Sequence, residues 1–205
     1  MNDVKEYIAT KTLTFRHSIV KLIAPTFYRN QIRASYFPRP MINFLRQGLG
    51  LKSLIGVEIG VAFGENAESI METLNMEKLF LVDAYQRFFV NDSLYSYYVG
   101  ARKFAIERLA KFGDRVIFIR KFSMHALEEI PNELDFVYID GNHAYSFVKE
   151  DIEGYYEKVK EGGVIGGHDF NRMHKGVLQA VVEFTQDNDI EFYNQINDWW
   201  LLKHE

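Results

Sequence analysis

Val57-Glu58-Ile59-Gly60-Val61-Ala62-Phe63-Gly64-Glu65-Asn66 decides the fold of this chain. Ser53-Leu54-Ile55-Gly56 leads into it, so it reads as a buried strand that bends at glycines and opens a helix over Glu65 to Leu74. Gly60 and Gly64 carry no Cβ, which lets the backbone turn tightly and lie close to a ligand. The loop then sits at a helix N-terminus, where unpaired N–H groups attract polar or anionic groups. A dinucleotide-binding loop would read G-x-G-x-x-G and receive a pyrophosphate. Here Ala62 holds the middle position and an acid, Glu58, stands two residues before Gly60. An acid there suits a cationic ligand better than a pyrophosphate.

Outward from this stretch, strands and helices alternate. Lys78-Leu79-Phe80-Leu81-Val82-Asp83 is a second buried strand, residues 115–119 a third, Leu134 to Asp140 a fourth and Val164 to Asp169 a fifth. Helical periodicity falls between them, over Ala101 to Phe112, Tyr145 to Lys160 (closed by Gly162-Gly163) and Lys175 to Asn188, with Ser123 opening a shorter helix. Ile190 to Tyr193 and Trp199 to Leu202 are two short strands around Asn197-Asp198, too close for a crossover helix and therefore antiparallel. The expectation is an α/β protein: a Rossmann-like, doubly wound, seven-stranded sheet, mostly parallel, with an antiparallel last strand and helices on both faces. Residues 53–205 would form that domain, and residues 1–52 a basic helical N-terminal extension.

Charge supports this division. Residues 1–52 hold nine lysines and arginines against two acids, whereas the remainder holds fifteen against twenty-six. Leu13, Phe15, Ile19, Val20, Leu22 and Ile23, with Arg16, His17 and Lys21 between them, make a basic amphipathic segment that Pro25 ends or bends. It suits packing on the domain or on a second subunit, or contact with a membrane surface or a nucleic acid. The acidic body argues against a nucleic-acid substrate. With no cysteine, disulfides and thiolate chemistry are excluded. No apolar run approaches the roughly 20 residues that span a bilayer, and a cytoplasmic location is expected. Six aromatics between Tyr85 and Tyr98 suit a lid, or core and dimer packing.

Ligands of open α/β sheets bind outside the carboxyl ends of the strands. Glu58, Asp83, Asp140 and the pair His168-Asp169 all fall at such ends. Asp83, about 20 residues beyond the glycine loop, is placed to accept from the hydroxyls of a ribose. Ser123 either contacts an adenine or caps its helix. Asp140, His168 and Asp169 offer carboxylates and imidazole to a divalent cation such as Mg²⁺, Mn²⁺ or Fe²⁺. His143, three residues past Asp140, titrates near neutrality and suits a general base.

These motifs resemble those of class I S-adenosylmethionine-dependent methyltransferases, nearest to the small-molecule O-methyltransferases of the catechol and macrolide-sugar types. The resemblance rests on Val57–Asn66, Leu81-Val82-Asp83, Asp135–Tyr145 and Gly162–Asp169, and covers residues 53–203. It implies S-adenosyl-L-methionine as cofactor. Glu58 and Gly60 would meet its methionyl part, with Gly64 in the same loop, and Asp83 its ribose. Asp140, His168 and Asp169 fall where metal-dependent relatives place their ligands. Catechol-type members carry a lysine base where this chain has His143, and an aspartate followed by Asn or Asp at the positions of His168 and Asp169. The activity implied is methyl transfer to a hydroxyl of a small molecule or sugar. The competing reading is a non-catalytic S-adenosylmethionine-binding module that uses the basic arm. A nicotinamide-dependent dehydrogenase is disfavoured by Ala62, by Glu58 and by the lack of a catalytic Tyr-x-x-x-Lys.

Overall fold

The structure, a computed structural model, describes residues 36–49, 52–86, 88–90, 93–95 and 100–204. The amphipathic segment expected over residues 1–30 lies outside them. Pro38–Glu205 forms one compact unit. Its first helix, α1 (Pro40–Leu49), falls in the stretch assigned from sequence to the extension, yet its Met41, Ile42 and Leu45 are fully buried in this unit's core. Pro40 opens it, at the position where a missing N–H costs nothing.

Seven strands make the main sheet: β1 (Leu54–Ile59), β2 (Met76–Val82), β5 (Val116–Ile119), β6 (Leu134–Ile139), β7 (Val159–Gly167), β8 (Phe192–Gln195) and β9 (Asp198–Leu202). Their order is β5-β2-β1-β6-β7-β9-β8, the first five parallel, with β9 antiparallel to both of its neighbours. A separate two-stranded hairpin, β3 (Phe88–Val90) and β4 (Ser93–Tyr95), forms within the aromatic segment after β2. The expected mixed, doubly wound sheet is therefore present. β6 is buried along its whole length, as a central parallel strand covered on both faces must be.

Alternation along the strands feeds two cores. Leu79, Leu81, Phe136, Tyr138 and Trp200 face α1, α2 (Glu65–Thr73) and α3 (Ala101–Leu109). Val57, Ile59, Val82, Val137, Ile139 and Ile165 face α4 (Ser123–Ala126), α5 (Tyr145–Tyr156) and α6 (Lys175–Asp187). Among the described residues no helix is long and apolar enough to cross a membrane.

One element differs from its sequence reading. Gly162-Gly163 does not close a helix. α5 ends at Tyr156, and β7 begins at Val159 and runs through both glycines. Gly162 sits at φ +71°, and the pairing with β6 slips between Leu134 and Phe136. The glycines accommodate an irregularity in the strand, which gives the same local signal as a helix stop.

Register sets the functional edge. Ile59 pairs with Val82 and with Ile139, Val82 with Ile119, and Ile139 with Gly167. The next residue on each strand, Gly60, Asp83, Asp140 and His168, therefore falls at one level. Each still donates its backbone N–H to the neighbouring strand, at 2.7–3.2 Å.

Candidate active site

The glycine loop is held from two sides. Gly60 has φ +85°, and a Cβ there would collide with the backbone carbonyl of Asp140. Gly64, at φ +76°, precedes α2 in the left-handed region. Ala62 also lies at φ +48°, a conformation that non-glycine residues adopt at a cost of order 1–3 kcal/mol. Asp83 stabilises that loop: its Oδ2 accepts the N–H groups of Val61 and Ala62, both at 3.0 Å, and its Oδ1 accepts that of Tyr85 at 2.8 Å. Three of its roughly four acceptor positions are thus in use. The ribose contact expected of Asp83 has one lone pair left to receive it.

Glu58, 1 % exposed, points to the α1–α2 side of the sheet. Its Oε1 accepts from Asn66 Nδ2 at 2.9 Å, while Oε2 is buried without a partner. Burial pushes its carboxyl up to about 8, against the opposing pull of Asn66 and Arg39. Ser123 does not cap its helix, because Phe122 occupies the cap position. Its carbonyl accepts from the Tyr155 hydroxyl at 2.8 Å, and burial raises the nearby Asp151 carboxyl to about 7, against the opposing pull of Ser123.

Asp140 is engaged by a residue from before the sheet. Arg39 Nη1 donates to Asp140 Oδ2 at 2.7 Å and to the Tyr138 hydroxyl at 3.0 Å. Tyr138 in turn donates to Asp198 Oδ1 at 2.8 Å, and Asp198 Oδ2 accepts the Met41 N–H at 3.0 Å. This buried polar seam ties the start of α1 to β6 and β9.

A cluster centred on Asp169 lies beside it. His143 Nε2 is 2.9 Å from Asp169 Oδ2, and His174 Nδ1 is 3.4 Å from Oδ1. Burial alone would lower His143, but the hydrogen bond and charge of Asp169 raise it above its usual value. Burial likewise opposes ionisation of Asp169, yet its bond with His143 holds it well below the usual carboxylate range. His174 is lowered, chiefly by burial, against the attraction of Asp169. His168 Nδ1 is 2.6 Å from the Asp169 N–H and 3.2 Å from Oδ1. A single ring nitrogen cannot accept the first and donate to the second, and the shorter contact makes Nδ1 the acceptor.

Residues 57–170, more than half of the chain, match the methyltransferase-domain family. The chain belongs to this family. A relative, an uncharacterised protein (R132) of Acanthamoeba polyphaga mimivirus, is 29 % identical over 194 residues, covering 90 % of this chain and 73 % of its own. The fold matches that of CalS11, a calicheamicin methyltransferase, at a TM-score of 0.65 and 12 % identity over 94 % of this chain and 91 % of that one. It also matches an O-methyltransferase from Bacillus cereus solved in complex with SAH, at a TM-score of 0.60 and 15 % identity over 91 % and 96 % of the two chains.

For an S-adenosylmethionine-dependent methyltransferase, the residues around the glycine loop fit the cofactor. The orphaned Glu58 Oε2 is a buried acceptor suited to an ammonium, and Gly60 leaves the strand end open to close approach. The divalent cation that the resemblance implies is a different matter. In the set Asp140, His168 and Asp169, Arg39 already holds Asp140 Oδ2, and a neutral His168 whose Nδ1 accepts an N–H carries its proton on Nε2. One donor atom from each of the three nevertheless lies within 4.8 Å of the others. Arg39 and His174 escaped the sequence reading of this methyltransferase. Arg39 is 101 residues from Asp140 in sequence, so nothing local signalled their contact. His174 carried a signal in its place, five residues beyond Asp169 in the same strand-end loop.

Proposed function

We propose that this protein transfers a methyl group from S-adenosylmethionine to a hydroxyl oxygen of a small molecule or sugar. The observation that carries the reading is adjacency. The cofactor loop leaves β1, the Asp140 and His143 loop leaves the neighbouring β6, and Asp169 follows β7 beside that. Glu58 would receive the ammonium of the cofactor, Gly60 and Gly64 its close approach, and Asp83 one ribose hydroxyl while its other contacts hold the loop. Methyl transfer is an in-line displacement at carbon, for which the protein mainly supplies proximity and alignment. An oxygen acceptor must also lose a proton, and the imidazoles and carboxylate around Asp169 provide sites for it. The O-methyltransferase named among the structural neighbours agrees with an oxygen acceptor.

Calorimetric titration with S-adenosylmethionine, followed by transfer of a labelled methyl group to a panel of sugars and phenols, tests this. Micromolar binding that is lost in Asp83→Ala, together with label in an ether product, is the expected result. Binding without transfer to any hydroxyl would leave the non-catalytic module as the better reading. An absence of binding would overturn the cofactor assignment itself.

A further inference from the structure

We propose that Tyr85, Arg102 and Arg120 form a binding site for a phosphate or diphosphate group, on the face of the sheet opposite Ser123. They line a cavity of about 480 Å³ between the ends of β2 and β5 and the start of α3. Ile119 packs into the core against α4, α5 and α6, so Arg120, the next residue, turns toward α3. Tyr85 is buried in the other core, with Ala101 and Ala105 of α3. The cavity is therefore separate from Ser123, the residue read from sequence as an adenine contact, although Tyr85 lies only two residues beyond Asp83.

The start of α3 is charged against its own dipole. Gly100 holds the cap position without a side-chain cap, the first turn contains no acid, and Arg102 and Lys103 stand there instead. Cations at a helix N-terminus are unfavourable, and the unpaired N–H groups of the first turn need acceptors. A bound anion answers both. Arg102 Nε is buried without a hydrogen-bond partner, and neither Arg102 nor Arg120 forms an ion pair or hydrogen bond among the described residues. Among those residues the lining holds one carboxylate, Glu107, which lies 3.9 Å from Lys103. Two guanidiniums are left to a ligand.

Tyr85 supplies a neutral donor. It is 4 % exposed and held at φ +48°, and its N–H is fixed by Asp83 Oδ1 at 2.8 Å. Its hydroxyl is buried without a hydrogen-bond partner. Burial, and then the charges of Asp83 and Glu58, push that phenol up against the pull of Arg102, so it keeps its proton at neutral pH. Leaving such a donor unpaired is costly, and a phosphate oxygen would pair it. Planar guanidinium forks bind phosphate oxygens two at a time. In the sheet order β2 stands two strands from β6, roughly 10 Å from the strand that carries Asp140. The phosphate therefore belongs to a distal part of the acceptor or to a separate small molecule. The site goes beyond the methyl-transfer reading and does not depend on it.

Inorganic pyrophosphate, titrated calorimetrically into the full-length protein at about 150 mM salt with EDTA present, tests the site. One pyrophosphate per chain at submillimolar affinity is expected. Arg102→Ala should weaken it about tenfold or more, and Tyr85→Phe about threefold or more. Arg46→Ala, which removes an exposed arginine of α1, should leave it unchanged. Should Arg102→Ala lose its fold by circular dichroism, Arg120→Ala reports on the same cavity from an exposed position. S-adenosylhomocysteine, titrated into the same samples, should bind equally well with pyrophosphate at saturation, and its failure to bind the wild type would touch only the cofactor reading. In methyl-transfer assays, a preference for sugar phosphates over free sugars that vanishes in Arg102→Ala places the phosphate on the acceptor. A rate on free sugars that depends on added pyrophosphate places it on a separate ligand. Absence of pyrophosphate binding to the wild type overturns the proposal. So does wild-type affinity in Arg102→Ala or Tyr85→Phe, an equal loss in Arg46→Ala, or competition between pyrophosphate and S-adenosylhomocysteine.

Discussion

Glu58 has one oxygen bonded to Asn66 and the other buried without a partner, and burial pushes its carboxyl up to about 8. At pH 7 the ligand-free protein therefore holds it largely protonated. An ammonium placed at Oε2 favours the ionised form and draws the pKa down. Cofactor binding at pH 7 should then release close to one proton, read from the dependence of the calorimetric heat on buffer ionisation enthalpy. Affinity should rise with pH up to about 8 and level off above it. The effect on the fold has its own sign: the folded-state pKa exceeds the unfolded value, so the contribution of Glu58 to stability is full below about 4.5 and declines as pH rises toward 8. Glu58→Gln should accordingly raise the melting temperature at pH 8.5 and abolish the proton release. A variant that binds cofactor with the same release would remove Glu58 from the site. Asp83 illustrates the limit of reading single residues. Its place at a strand end and its distance from the glycine loop were visible in sequence, but its three bonds to the backbone of Val61, Ala62 and Tyr85 were not. Asp83→Ala should thus lose the loop's shape along with the ribose contact. Asp83→Asn keeps one acceptor oxygen and should bind cofactor more weakly than the wild type but better than the alanine variant.

At the scale of elements, legibility followed the reach of the physical signal. Runs such as Leu134 to Ile139 announced buried strands because a parallel strand covered on both faces must be apolar throughout. The start of β7 was misread because glycines that accommodate a strand irregularity look like glycines that stop a helix. α1 falls in the extension read from sequence as helical, but its attachment was not legible, because that depends on Asp198, 157 residues away from Met41. That attachment is testable. Asp198 accepts from the Met41 N–H and the Tyr138 hydroxyl, and all three residues are buried. Asp198→Ala leaves two buried donors unsatisfied, a cost of about 2–4 kcal/mol. In a chain of this size that corresponds to a fall in melting temperature of roughly 5–15 °C. Asp198→Asn keeps one acceptor and should fall by less. Equal loss in both variants would mean that charge, and not hydrogen bonding, holds the seam.

Across the whole molecule, the candidate site depends on chain from both sides of the sequence-derived boundary at residue 52. The glycine loop, Asp140 and Asp169 all belong to the matched methyltransferase domain, residues 57–170. Arg39 precedes it, and β9, whose Asp198 anchors the start of α1, follows it. The basic character of residues 1–52 was legible from composition alone, but one of those cations, Arg39, belongs to the functional edge and not to a surface. Two truncations separate the possibilities. A chain of residues 38–205 keeps every member of the seam and both buried cores, and should fold and bind S-adenosylhomocysteine with unchanged affinity. A chain of residues 53–205 removes Arg39 and the fully buried Met41, Ile42 and Leu45. Large apolar side chains cost about 2–5 kcal/mol each when lost from a core, so this shorter chain should be unfolded or aggregated at room temperature. Circular dichroism and cofactor titration read both outcomes. If residues 53–205 fold and bind cofactor as tightly as residues 38–205, then α1 is an accessory and Arg39 is not needed to hold Asp140. If residues 38–205 fail to bind, the first 37 residues contribute to the cofactor site directly, and the basic arm becomes part of the binding machinery.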